Sequence, residues 1–148
     1  MKNAVLAALL FSAGVAAADG PPAIHKTGIE LTAALAAGQA TPDMLTSPVA
    51  ITDKHRVNLI KRTKAAGAVA HDGFAELHHI VEGSGTLVTG GTIVRATGGG
   101  GGGATIQGGV SKHVTKGDVI LVPPGVPHWY KDLDGASITY LEVRWEEK

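Results

Sequence analysis

The sequence predicts an all-β fold, a barrel or sandwich of short strands, preceded by short N-terminal helices. Two observations carry this. Glycine is abundant, with 21 residues among 148, and glycine or proline punctuates many of the short runs rich in Val, Ile and Leu. Those runs recur from about residue 49 to the end, the pattern of strands joined by tight turns. A chain of 148 residues is one domain's worth, long enough to bury a single core without staples.

The first twenty residues read as an export signal. Lys2 gives a positive start, and Ala4 to Ala13 form an apolar stretch too short to span a bilayer. Ala16-Ala17-Ala18 supplies the small-residue cleavage site, so residues 1–18 are expected to be removed after Ala18. No cysteine follows that would carry a lipid anchor. The mature protein is therefore expected in a periplasm or outside the cell, without a membrane anchor. Residues 19–48 form a leader. Within it Leu31–Gly38 is a helix candidate for its alanine content, with Gly38 as its stop. Thr41-Pro42-Asp43-Met44 starts a turn or a second short helix.

Residues 49–148 are the expected barrel. Arg56–Arg62 partly alternates apolar with polar, and Val69–His71 is short and extended. Phe74–Val81 is a strand, Glu82–Gly85 a turn, and Thr86–Thr89 continues to a turn at Gly90-Gly91. Thr92–Thr97, Val119–Pro123 and Ser137–Trp145 are the remaining clear strands. Gly83, Gly85, Gly117 and Gly125 are expected to need unusual dihedrals at turns. Gly98–Gly103 is an unbroken glycine run that matches a dinucleotide fingerprint by composition alone. The helix that the fingerprint requires is missing, because a short strand and turn at Ala104–Gly109 follow instead.

Composition excludes several functions. Thirteen basic residues balance thirteen acidic ones. Loss of the signal removes only Lys2, which leaves the mature chain at −1 with no basic excess for nucleic acid or an anionic membrane. With no cysteine there can be no disulfide, no thiol catalysis and no cysteine-based zinc site. No G-x-S-x-G elbow and no H-E-x-x-H helix is present.

Two segments carry chemistry. The first runs from Val69 through His71 and Glu76 to Gly83, and the second from Gly117 through Pro123 and Gly125 to His128. They resemble the two conserved motifs of the cupin family. Glu76 with Gly83, and His71 before them, match the latter part of the first motif. Gly117, Pro123, Gly125 and His128 match the second. Val69 stands where the first motif has its leading histidine, and Asp132 where the second ends in asparagine. The resemblance covers roughly residues 55 to 145. It implies a double-stranded β-helix, jelly-roll-like barrel with metal ligands pointing inward, and a homodimer as in many relatives.

The residues support the same site by themselves. Residues two apart on a strand share a face, so His71 and Glu76, on either side of a turn at Asp72-Gly73, can point inward from two adjacent antiparallel strands. The Pro-Pro-Gly-x-Pro turn delivers His128 to the same interior. Two imidazoles and a carboxylate make a site for a divalent metal, Fe, Mn, Zn, Ni or Cu. His78 shares the face of Glu76 and is a candidate for the missing imidazole, with a hydrogen-bonded pocket histidine as its rival role. His79 alternates outward. Tyr130 shares a face with His128 and is expected to line the pocket or the core. Glu76 is the one acid placed inside. His25, His55 and His113 read as surface residues without partners, and Lys61, Arg62 and Lys64 as a solvated rim. The functional expectations are a metal-dependent enzyme of dioxygenase or isomerase type acting on a small organic molecule, or a non-catalytic module that binds a small ligand or metal.

Overall fold

The computed structural model describes residues 23–95 and 103–147. The expected signal at 1–18 and most of the glycine run lie outside these residues.

The chain opens with helix α1 (Gly28–Ala36). It begins three residues before the expected start because Thr27 and Glu30 form a capping box, each side chain bonded to the other's backbone N–H. Eleven strands follow among the described residues: β1 (Gln39–Ala40), β2 (Met44–Ile51), β3 (His55–Arg62), β4 (Phe74–Glu82), β5 (Ser84–Thr89), β6 (Thr92–Val94), β7 (Thr105–Gln107), β8 (Val110–Thr115), β9 (Val119–Val122), β10 (His128–Leu133) and β11 (Ile138–Glu146).

Thr41 caps a hairpin turn and starts no helix. Its hydroxyl donates to Asp43 Oδ1 at 2.7 Å and accepts from the Met44 N–H at 3.3 Å, closing β1 onto β2. Strand structure starts with the short β1 at Gln39, and the first long strand at Met44, five residues earlier than the sequence pattern suggests. Pro48 hides β2 from that pattern, and the strand accommodates it beside a bulge between Pro48 and Ala50. Strands β8 and β10 are likewise absent from the sequence expectation.

All pairings among the described residues are antiparallel. One sheet has the order β1-β2-β3-β11-β4-β9, a second β10-β5-β8, and β6-β7 form a hairpin. The first two sheets share one core. Ile60, Ile80, Ile138 and Tyr140 from the large sheet pack with Leu87, Val114 and Tyr130 from the small one. The leader lies on the other face of the large sheet, where Ile24 and Leu31 line a cleft with Val57 and Leu141.

Three expectations about single residues need correction. Gly83, Gly117 and Gly125 do have positive φ, but Gly85 does not. It lies within β5, where a Cβ would run into the Asp132 carbonyl of β10, so the requirement there is close strand approach. Arg62 is no rim residue. Its side chain is 13% exposed, its Nε donates to the Tyr140 hydroxyl at 3.0 Å, and its guanidinium stacks 5.5 Å from the Tyr130 ring centroid. It shares the inward face of Ile60, two residues before it. His113 is exposed as expected but has a partner, Asp134, at 2.7 Å. Ser84 donates to the same carboxylate oxygen at 2.6 Å. The β5–β8 pairing brings His113 near Ser84, and the β10–β5 pairing brings Asp134 to both.

Candidate metal centre

Strand β4 sets the site. Its inward face carries Glu76, His78 and Ile80, all buried, while His79 faces out. The neighbouring β11 is paired with β4 so that Arg144 lies beside Glu76, Glu142 beside His78 and Tyr140 beside Ile80. On the far side of β11, β3 places Asn58 against Glu142. The two central strands thus present rows of polar side chains to the interior at one end of the core and apolar rows at the other.

The opposite wall supplies the imidazoles. His128 is the first residue of β10. Its backbone exchanges two hydrogen bonds with Val69, at 2.8 and 3.1 Å. His71, two residues beyond Val69, is thereby brought alongside, with the two rings 5.6 Å apart. The His71 carbonyl also accepts from the Gly125 N–H at 3.0 Å, which ties the segment to the proline-rich turn. This corrects the expected origin of His71, which comes from a bridge to β10 and not from a strand beside β4. The first motif's departure at Val69 falls on the bridging residue itself.

His71, Glu76 and His128 each offer a ligand atom within 4.8 Å of the other two. His71 Nε2 lies 3.3 Å from Glu76 Oε1, and His128 Nε2 lies 3.5 Å from Oε2. The Glu76 side chain is 1% exposed and that of His71 32%, so the set opens to solvent on the His71 side. The protonation pattern suits a cation. His128 Nδ1 is 3.2 Å from the Val126 carbonyl, which can only accept, so the proton sits on Nδ1 and the Nε2 lone pair faces Glu76. Glu76 Oε1 is buried and receives no hydrogen bond. Arg144 Nη2 approaches it to 2.9 Å as an ion pair but directs its hydrogen bond to Glu142 Oε1 at 3.1 Å. A buried carboxylate with one oxygen facing His71 and without a hydrogen bond, and the other facing His128, offers ligand atoms on the side of both imidazoles, so the residues fit a divalent metal.

His78 is engaged differently. Its Nε2 lies 3.1 Å from Glu76 Oε2 and its Nδ1 3.1 Å from the Tyr130 hydroxyl. Ionised Glu76 can only accept, so Nε2 donates and Nδ1 accepts from Tyr130. Both ring nitrogens are committed, and its ligand atoms group with Glu76 and Glu142, apart from the His71–His128 pair. Tyr130 is a core residue with one polar bond. Burial, then neighbouring Tyr140, pushes its hydroxyl well above the ordinary range.

Glu142, Arg144 and Asn58 are the site residues that sequence reasoning missed. Glu142 is 5% exposed, so Glu76 is not the one acid inside. Strand parity groups Tyr140, Glu142 and Arg144 on one face, but the other face reads Leu141, Val143 and Trp145, the more natural choice for a core.

Burial acts to raise the Glu76 carboxyl, but the His78 hydrogen bond and the charges of His128, Arg144 and His71 outweigh it and hold the group below 4.5. Burial pushes His128 below 6.5, with Glu76 partly opposing. Both shifts have the same sign for stability. As pH falls below 6.5 the unfolded His128 takes up a proton before the folded one does, and below 4.5 the same holds for Glu76. Metal-free protein is therefore expected to lose stability in two stages, from about pH 6.5 and again below 4.5. Urea unfolding across pH checks this: His128→Phe removes the upper stage, and stability flat from pH 7 to 5 contradicts it.

No family model and no curated protein matches the sequence. Solved structures do match. A proposed mannose-6-phosphate isomerase of Ralstonia eutropha JMP134 is 18% identical over 83% of this chain and all of its own, with TM-score 0.57. A predicted oxalate decarboxylase of Thermotoga maritima is 16% identical over 70% of this chain and 81% of its own, with TM-score 0.54. The cupin domain of Schizosaccharomyces pombe Cnp3 is 10% identical over 70% of this chain and 65% of its own, with TM-score 0.50. The fold is that of the cupins, as the motifs implied. The different activities named for these structures leave the reaction to be argued from the site.

Proposed function

We propose that this chain is an exported, metal-dependent cupin enzyme that acts on a small organic molecule by oxygen-dependent or isomerase-type chemistry. His71, Glu76 and His128 hold one divalent ion. The observation that carries the reading is the convergence of these three side chains, with Glu76 Oε1 buried, without a hydrogen bond and facing His71. Three protein ligands leave coordination positions open, which favours catalysis over a closed structural site. The commitment of both His78 nitrogens argues against a fourth ligand from that side. The ion, held by His71, Glu76 and His128, would supply Lewis-acid or redox chemistry there. His78 and Arg144 keep Glu76 ionised, Val126 keeps the His128 proton away from the ion, and the exposed edge of His71 marks where a small molecule enters. Tyr130, in the core, supports the site from behind through His78.

Export is supported by Lys2, the apolar run Ala4–Ala13 and the small residues Ala16–Ala18, which would deliver the mature chain to a periplasm or the exterior. No helix among the described residues is long and apolar enough to cross a membrane. The resemblance supports a homodimer, and the absent basic excess argues against nucleic acid as a partner.

Metal analysis of protein purified from its native compartment tests the reading. One Fe, Mn, Zn, Ni or Cu per chain is expected, lost in His71→Ala. A metal-free native protein, with His71→Ala equally stable, ends it. Oxygen uptake and isomerisation assays on small phenols, thiols and keto acids then separate an enzyme from a binding module. Metal without turnover on any of them favours the module.

A further inference from the structure

Beside the first ligand set lies a second. Glu76, His78 and Glu142 also offer atoms within 4.8 Å of one another, and all three residues are buried. Two carboxylates and an imidazole suit a divalent ion as well as the first set does, and Glu76 belongs to both. Arg144 is the cation already there. Its Nη2 stands 2.9 Å from Glu76 Oε1 and 3.1 Å from Glu142 Oε1. Asn58 Nδ2 donates to the remaining Glu142 oxygen at 2.8 Å.

We propose that Arg144 is the resident cation of this second set, and that it holds the centre to a single divalent ion. The proposal rests on the metal reading above. Glu76 and Glu142 are neighbouring buried carboxylates, and Arg144 is the positive charge that bridges them. A guanidinium supplies that charge at every accessible pH. It repels a second cation at contact distance, in a setting where water screens little. Without Arg144, Glu142 loses its positive partner even with an ion on His71, Glu76 and His128, and a second divalent ion supplies one. Glu76 would then be shared between two ions, as in two-metal sites. His78 would move its proton from Nε2 to Nδ1, where the Tyr130 oxygen can accept it. Arg144 is thus a positioning residue. It touches Glu76 and Glu142, and it decides how many ions they serve.

The full chain, loaded with Mn(II) and freed of excess, is counted by elemental analysis and examined by electron paramagnetic resonance. Wild type is expected to hold one ion with an uncoupled spectrum. Arg144→Met is expected to hold two, exchange-coupled, and to regain with Mn(II) the thermal stability that it loses as apo-protein. Arg144→Lys, which keeps the charge, returns to one ion, and so does Arg144→Met with Glu142→Gln. One ion in both wild type and Arg144→Met overturns the proposal and leaves the metal reading standing. No ion in wild type overturns both. Should Arg144→Met fail to fold, wild type in a large Mn(II) excess decides: saturation at one buried ion supports the proposal, and a coupled second ion overturns it.

Discussion

Glu76→Gln is expected to lower metal affinity by more than about 100-fold, the upper end of what loss of a supporting residue costs. Glutamine has nearly the same shape, so the effect isolates charge and lone pairs. The carboxylate faces His71 Nε2, His128 Nε2 and Arg144 from a position 1% exposed. An amide there loses the negative charge that balances the ion, and half of it becomes a donor among donors. His78→Ala takes from Glu76 only the hydrogen bond to Oε2 and is expected to cost about 10- to 100-fold. Competition with a chelator of known affinity ranks the two. Equal losses would place His78 among the ligands, and an unchanged Glu76→Gln would remove Glu76 from the site.

Ile80→Ala is expected to destabilise the protein by about 2–5 kcal/mol, the usual range when a large buried aliphatic side chain is cut to alanine. Folded domains hold only about 5–15 kcal/mol in all, and the midpoint of thermal unfolding should fall by roughly 10 °C. Ile80 is fully buried in the core where both sheets meet, with Leu87, Tyr130 and Tyr140. Tyr140 stacks 5.0 Å from Tyr130 and 4.7 Å from His78, centroid to centroid, so a cavity at Ile80 also loosens the wall behind the polar residues. His79→Ala, one position away on the exposed face, is expected to change stability by less than about 0.5 kcal/mol. Urea unfolding of the two variants makes the comparison. Similar losses would mean that the strand's facing is wrong.

The motif spacings around Glu76 and His128 were readable because turns are encoded locally. A glycine that must adopt positive φ, as at Gly83, Gly117 and Gly125, or a proline-rich turn before His128, fixes chain direction within a few residues. The strand pattern, with the cupin resemblance that those spacings carry, indicated the barrel and named His71, Glu76 and His128, and strand parity added His78 and Tyr130. It did not indicate how His71 reaches the site, because that depends on the Val69–His128 bridge between segments far apart in the chain. Nor did it reveal Glu142 and Arg144. Along β11 the apolar residues Leu141, Val143 and Trp145 alternate with polar ones, and alternation says that two faces differ without saying which is inside. Register with β4 decided that, by laying Arg144 beside Glu76 and Glu142 beside His78. The leader helps to cover the apolar face, at Leu141, while the interior took the charged one. Local sequence thus determined the turns and the ligand types, and only strand pairing determined which charges share the interior, because a buried charge is tolerated only where another part of the chain brings its partner.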